Sequence, residues 1–407
     1  MPLGTPKFVG ARLREGREAR GLSASSLASV LGISRQAVFQ YERDESSPRP
    51  ETMRKIVDVL RLPVHFFQWP MDNNTPEVIF YRSLASAQEE ARLRGKARRR
   101  WLEAIASYMS EYVEFPAVNL PNFDPAADPN QLTEEAIEDV AGEVRRIWGL
   151  GEGPISHVVW LVENHGAIVA RDEFATDAID AFSTWDDGSP YIILGSDKGS
   201  AVRSRLDAAH ELAHLLLHRN VPAERLQRDR DHALMERQAN RFAAALLLPA
   251  ASFSSEFYTP SLDILHTLKS KWLVSIGMMI HRLADLEFLS RDEAKRWWIA
   301  YTRRGWKRRE PLDESIPQEQ PTLLRRSLEL LVKEGVQSRA DIRAALPLDQ
   351  SDIEELSGLP RGYLEDARPP APVLRLPIGR TDDGSRSSEK AGADIVLFPS
   401  KHRHQTH

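Results

Sequence analysis

Apolar residues recur at helical spacing along most of the 407-residue chain. Between residues 8 and 62 they form short patterns broken by Gly21, Gly32 and the turn Ser46-Ser47-Pro48-Arg49-Pro50, which predicts five short helices. Phe8 to Arg20 is the first. Ser23 caps a second that ends at Leu31, Gly32-Ile33 turns the chain, and Ser34 caps a third from Arg35 to Glu42. Residues 63–80, rich in proline and aromatics, read as a connector. Ser86 to Glu114 reads as a helix carrying Arg92, Arg94, Lys96, Arg98, Arg99 and Arg100, and the simplest reading of such a run is a solvated face. A proline-containing connector, Asn119 to Asn130, leads to a helix that Thr133 opens and that runs to about Trp148.

The pattern then changes. Val158–Val162, Ala167–Ala170 and Tyr191–Leu194 are expected as strands, with Asp186-Asp187-Gly188 turning before the last. Arg203–Arg219 and Leu234–Leu248 return to helical spacing, as does the region from Ser261 to Arg304. Leu323–Lys333, Arg339–Leu346 and Asp352–Ser357 follow. From Arg368 onward proline, glycine and charge predict a disordered tail.

Charge changes the picture at one end. Residues 1–62 hold 11 Lys/Arg against 7 Asp/Glu, while the whole chain has a net charge of -5. A basic N-terminal piece on an acidic body suits a local anionic partner. The absence of cysteine excludes disulfides and thiolate metal sites. No apolar run approaches the length of a membrane span and no signal-peptide core is present, so the expectation is a cytoplasmic protein with no membrane partner.

Ala28, Ile33, Val38 and Tyr41 can lock two helices at a steep angle and leave the start of the third free to enter a major groove. With Leu13-Arg14, Arg17, Gly21-Leu22-Ser23, Leu31-Gly32-Ile33-Ser34, Tyr41-Glu42-Arg43 and Pro48, the stretch resembles the Cro/C1-type (Xre) helix-turn-helix family. The resemblance implies binding to double-stranded DNA, with Arg35, Gln36 and Gln40 reading bases. Arg and Gln can grip guanine and adenine edges through paired hydrogen bonds. Arg43, Arg49 and Arg17 are expected at phosphates. Phe39 departs from the polar character of that face, and suits either a thymine methyl or an altered partner. A homodimer on a near-palindromic site is expected, because one such unit buries little surface.

A second chemistry lies in Ala209-His210-Glu211-Leu212-Ala213-His214. Histidines four apart project from one helix face and can take two corners of a zinc tetrahedron, with Glu211 beside the open corner as catalytic base. The surrounding leucines would leave these polar groups needing partners without a metal. Glu236, His218, Asp231 and His232 are the candidates for a third ligand. Glu236 completes a two-His, one-carboxylate set and shares a face with Asn240.

The metal helix ending Leu215-Leu216-Leu217-His218, the run from Glu236 through Ala239-Asn240 and Phe242-Ala243-Ala244 to Leu247-Leu248-Pro249, Asp180-Ala181-Phe182-Ser183 and Pro190–Leu194 resemble the ImmA/IrrE metallopeptidase family. That resemblance implies Zn2+ on His210, His214 and Glu236, with Glu211 as base; His218 also matches a family position and is read as structural. It also implies a protein substrate of repressor or antitoxin-like type, cleaved in a stress or mobile-element response. The strand Tyr191, Ile192, Ile193 and Leu194, just ahead of the metal helix, is expected at a sheet edge, where it could hold an extended substrate.

The expected fold class is α+β, mainly α. A five-helix helix-turn-helix domain occupies residues 1–70 and a basic helical connector 71–130. A zincin-like peptidase domain with a small sheet spans 131–309, a helical region 310–367 and a disordered tail 368–407. The helical region is read either as packing on the peptidase or as sensing a signal. Two other functions fit the same residues: a transcription factor with a non-catalytic zinc sensor, or a peptidase that uses its helix-turn-helix only to dock a substrate.

Overall fold

The computed structural model describes residues 5–71, 79–81, 89–174, 179–197, 200–226, 228–257 and 261–365, so the expected tail lies outside the described residues. The chain is mostly helical, with one small sheet near its middle. Residues up to Leu364 form one compact unit. Among the described residues no helix is long and apolar enough to cross a membrane.

The N-terminal patterns become α1 (Gly10–Ala19), α2 (Ala24–Leu31), α3 (Arg35–Glu42) and α4 (Pro50–Leu60). Ser23 accepts the Ser26 N–H and Ser34 accepts the Ala37 N–H, so both expected caps form. Gly32 ends α2 at φ 70°, a left-handed conformation that glycine adopts without strain. Gly10 is needed for another reason: a Cβ there would stand 2.1 Å from the Tyr41 carbonyl oxygen, so only glycine lets α1 cross α3 this closely. Four α-helices, rather than five, fill residues 8–62. The fifth is a 3-10 turn, Val64–Gln68, inside the expected connector, and its Phe66 and Phe67 close the core.

The sheet contains β1 (Ile79–Tyr81), β2 (Ile168–Asp172), β3 (Ala181–Asp186) and β4 (Ser189–Gly195), in the order β1-β3-β4-β2. β3 runs antiparallel to β1 and β4, and β4 runs parallel to β2. The expectation that Tyr191–Leu194 forms an edge is therefore corrected. β4 lies inside the sheet, with Ile193 opposite Phe182 on one side and Ala170 on the other. Its continuous apolar run is the signature of a strand buried on both faces. Val158–Val162 is also corrected, from strand to helix α7 (Val158–Asn164). His157 accepts the Trp160 N–H at 2.9 Å and caps it, and Trp160 is exposed while Val158, Val159 and Val162 are buried. A strand would have alternated and buried Trp160 with its neighbours at two-residue spacing.

The sheet separates two cores. Ala167, Val169, Ile192 and Leu194 face one that also holds α6 (Glu134–Ile147), α7, α8 (Ala201–Leu217) and α10 (Asp229–Leu247). The short α9 (Ala223–Leu226) joins the last two. α11 (Ala250–Ser255), α12 (Leu262–Trp272), α13 (Ile276–Asp285) and α14 (Arg291–Arg303) continue this core. Ile168, Ala170, Phe182, Tyr191 and Ile193 face the other core. That second core joins the N-terminal helices to α5 (Glu89–Ser110) and to α15 (Leu323–Lys333), α16 (Arg339–Ala345) and α17 (Gln350–Ser357).

The basic run on α5 is not wholly a solvated face, because Arg98 and Arg99 are buried. Arg98 donates to Asp172 at the end of β2 (2.9 Å), to Asp352 and to Glu355 on α17 (2.8 Å). Arg20, at the C-terminal end of α1, grips the same Asp352 with both terminal nitrogens, at 2.7 and 2.6 Å. Burial works against the Arg98 charge, but the three carboxylates outweigh it and raise the pKa. One ionic cluster thus ties four parts of the chain together.

Candidate metal centre and nucleic-acid interface

α8 and α10 pack against each other and bring His210, His214 and Glu236 together. His210 Nε2 and His214 Nε2 lie 3.0 Å apart. The Glu236 carboxylate oxygens lie 3.5 Å from the first and 3.3 Å from the second. Tetrahedral bonds of about 2.0–2.1 Å would place zinc ligand atoms roughly 3.3–3.4 Å apart, so these separations suit that ion.

The proton positions decide whether a cation fits. Gln238 Nε2 donates to the Pro129 carbonyl at 2.8 Å and lies 3.3 Å from that of Leu132, which fixes its Oε1 as an acceptor. His218 Nε2, 3.1 Å from that oxygen, must therefore carry a proton. Burial holds His218 well below its ordinary pKa, so the ring is neutral and its Nδ1 accepts. His214 Nδ1, 2.9 Å away, then donates, and in the neutral ring its Nε2 presents a lone pair. His210 reaches the same state more simply. Its Nδ1 is 3.1 Å from Asn240 Oδ1, which can only accept, so its Nε2 is also a lone pair in the neutral ring. Two lone pairs and a carboxylate converge on one buried point. Such a donor set fits a divalent cation.

Burial opposes ionisation of Glu236, but when His210 and His214 carry a second proton they donate to it and hold its carboxyl well below the usual range, so protons and a cation compete for this point. Glu211 is fully buried beside this set. Ser183 Oγ on β3 donates to Glu211 Oε2 at 2.6 Å and sits 3.2 Å from the Glu211 carbonyl, which fixes the carboxylate against the sheet. A buried carboxylate so oriented next to a Lewis-acid position can act as a proton acceptor.

Two family models match the chain: a helix-turn-helix model over residues 13–67 and the IrrE N-terminal-like domain, Peptidase M78, over residues 162–284. The chain joins these two domains. Over 72 residues it is 39% identical to the HTH-type transcriptional regulator SutR of Escherichia coli, covering 18% of this chain and 40% of that protein. A putative HTH-type transcriptional regulatory protein of Methanocaldococcus jannaschii is 40% identical over 58 residues, or 14% of this chain and 18% of that one. One from Aeropyrum pernix is 45% identical over 56 residues, or 14% and 17%. The chain spans less than half the length of each of these relatives.

Within the IrrE N-terminal-like domain, the other expected ligands fall elsewhere. His232 Nε2 approaches Glu236 only to 3.8 Å, and Asp231 faces Arg225 and Arg228 at 3.7 and 3.9 Å. His218 meets His214 Nδ1 and does not join the three converging atoms. Sequence reasoning gave no role to Gln238 or Ser183. Gln238 packs two residues from Glu236 without any spacing signal of its own, whereas Ser183 lay within the quoted Asp180–Ser183 stretch. Gln238→Leu should loosen the proton relay and weaken zinc binding about 10–100-fold. Competition with a chromogenic chelator measures this, and an unchanged affinity would remove Gln238 from the relay.

In the helix-turn-helix domain, Arg35 and Gln36 are exposed on α3, Gln40 is half-buried beside them, Arg43 is exposed just past the end of α3, and Arg49 is exposed ahead of α4. Arg17 is different. It is buried and donates to Glu42 at 2.6 Å and to the Leu22 carbonyl at 2.8 Å, so it braces α1 against α3 and does not face outward for a phosphate.

Proposed function

We propose that the chain is a DNA-binding transcriptional regulator whose central domain is a zinc-dependent endopeptidase, acting on a repressor-type partner or on itself. The single observation that carries the enzymatic part is the convergence of His210 Nε2, His214 Nε2 and Glu236, with Asn240 and His218 at the two Nδ1 atoms. These three residues would hold the ion, which when bound supplies Lewis acidity to a water molecule and to a substrate carbonyl. Glu211, oriented by Ser183, accepts the proton of the attacking water and returns it to the leaving amine. Asn240, His218 and Gln238 hold the imidazole tautomers, and the buried walls of α8 and β3 limit bulk water.

The α3 face supports the DNA part: Arg35, Gln36 and Gln40 meet bases while Arg43 and Arg49 meet phosphates, in a homodimer on a near-palindromic duplex. The edge-strand role of Tyr191–Leu194 is withdrawn from this reading, because both sides of β4 are already paired. The test compares cells carrying the wild type with cells carrying Glu211→Gln, by fragment proteomics and genome-wide binding. Fragments present only with the wild type, and binding sites shared by both, are expected. Intact partners in both strains would overturn the peptidase reading. Fragments without any binding site would favour the helix-turn-helix as a substrate dock.

A further inference from the structure

Phe39 is the one large apolar side chain on the outward face of α3. It lies in a column with Arg35 and Arg43, each one turn away, and Gln36 and Gln40 form a second column beside it. The Arg35 guanidinium sits 5.1 Å from the Phe39 ring centre and that of Arg43 5.9 Å. The ring is half-buried: part of it packs on the domain core, and the rest lines a shallow surface pocket with Arg35, Gln36, Gln40, Arg43 and Glu45.

This arrangement has a chemical reading. A guanidinium over an aromatic face loses rotamer freedom but keeps its N–H edge open for a bidentate acceptor. In the major groove that acceptor is the O6/N7 edge of guanine, and the apolar feature that distinguishes a pyrimidine is its C5 methyl. The C5 methyl of a pyrimidine projects beside the edge of the purine that follows it on the same strand. Arg43 follows the C-terminal end of the helix, away from the N-terminal turn that meets base edges, and is the arginine better suited to a phosphate.

We propose that Phe39 reads sequence: its ring takes a pyrimidine C5 methyl while Arg35, held on that ring, grips the guanine that follows. The half-site then contains TpG or 5-methylcytosine–guanine. This inference rests on the DNA-reading role proposed above.

The experiment selects duplexes from a randomised pool with full-length wild type and with Phe39→Ala, then measures affinity for the wild-type consensus by fluorescence anisotropy. The wild type should enrich TpG. Replacing that thymine by deoxyuridine removes only the methyl and should weaken binding about fourfold, the worth of one buried methyl-sized group. 5-Methylcytosine in its place should restore binding where plain cytosine does not, if both methyl sources are read. Restoration failing would confine the pocket to thymine. Phe39→Ala should enrich guanine without the preceding pyrimidine and ignore the deoxyuridine change. Arg35→Ala should lose roughly 5- to 150-fold at the guanine. The deoxyuridine arm uses the unaltered protein, so misfolding of a variant cannot mimic its result. An enriched site whose affinity ignores the methyl overturns this inference alone. A pool with no enrichment overturns the DNA-reading role with it.

Discussion

Turnover of a verified substrate by Glu211→Gln is expected to fall at least about 100- to 10,000-fold while the protein keeps about one zinc per chain. Glutamine fills the same buried space and can still meet Ser183 Oγ, yet it cannot take a proton. His210→Ala, His214→Ala and Glu236→Ala are expected to lose both zinc and turnover, because each removes one of three converging donors. Metal analysis beside a single-turnover assay separates the two classes. Full zinc retention in Glu236→Ala would move the third ligand to another donor such as His232, whose Nε2 lies 3.8 Å from the Glu236 carboxylate. Turnover by Glu211→Gln at the wild-type rate would end its assignment as the base.

The second large effect concerns stability. Asp352→Ala removes the carboxylate shared by Arg98 and Arg20, and Arg98 is almost completely buried. Breaking a buried ion pair from one side typically costs about 3–5 kcal/mol; Arg98 keeps Asp172 and Glu355, so the lower end of that range is expected. Denaturant unfolding of full-length protein should show a loss of that order. Replacing Arg98, Asp172 and Asp352 together by Met, Leu and Leu should recover much of it, since similar apolar volume often stabilises as well as the buried ions did. A loss below about 1 kcal/mol for Asp352→Ala would mean that water reaches Arg98 and solvates it.

Features written in local chemistry were legible before any coordinates. Ser23, Ser34 and Thr133 cap helices through an N–H three residues on, so each cap is contained in its own segment. The metal histidines share one helix turn, and Glu236 stands in a segment whose residues carry a recognisable pattern. What escaped depends on partners distant in sequence. Arg17 looked like a phosphate contact because Glu42, which neutralises it, is 25 residues away. Arg98 looked solvated because its carboxylates lie 74 and 254 residues along. The place of β4 in the sheet depends on β2 and on a β3 that periodicity did not reveal, since Ser183 and Thr184 interrupt its apolar pattern. Val158–Val162 misled for the opposite reason: β-branched residues favour strands, but tertiary burial and the His157 cap imposed a helix.

The sheet with a core on each face also governs how the protein responds to its surroundings. Ile192 and Leu194 pack toward α8 and α10 while Ile193, between them, packs toward the helix-turn-helix side, so neither core can melt without exposing the other. Heat should therefore unfold the described chain in a single transition rather than two. An ion held only by the native state at about 100 times its dissociation constant would add about 2.7 kcal/mol to that common stability. The supply of folded operator-binding protein would then follow the supply of metal, and chelation alone would thin the regulator on its sites without a peptide bond being cut.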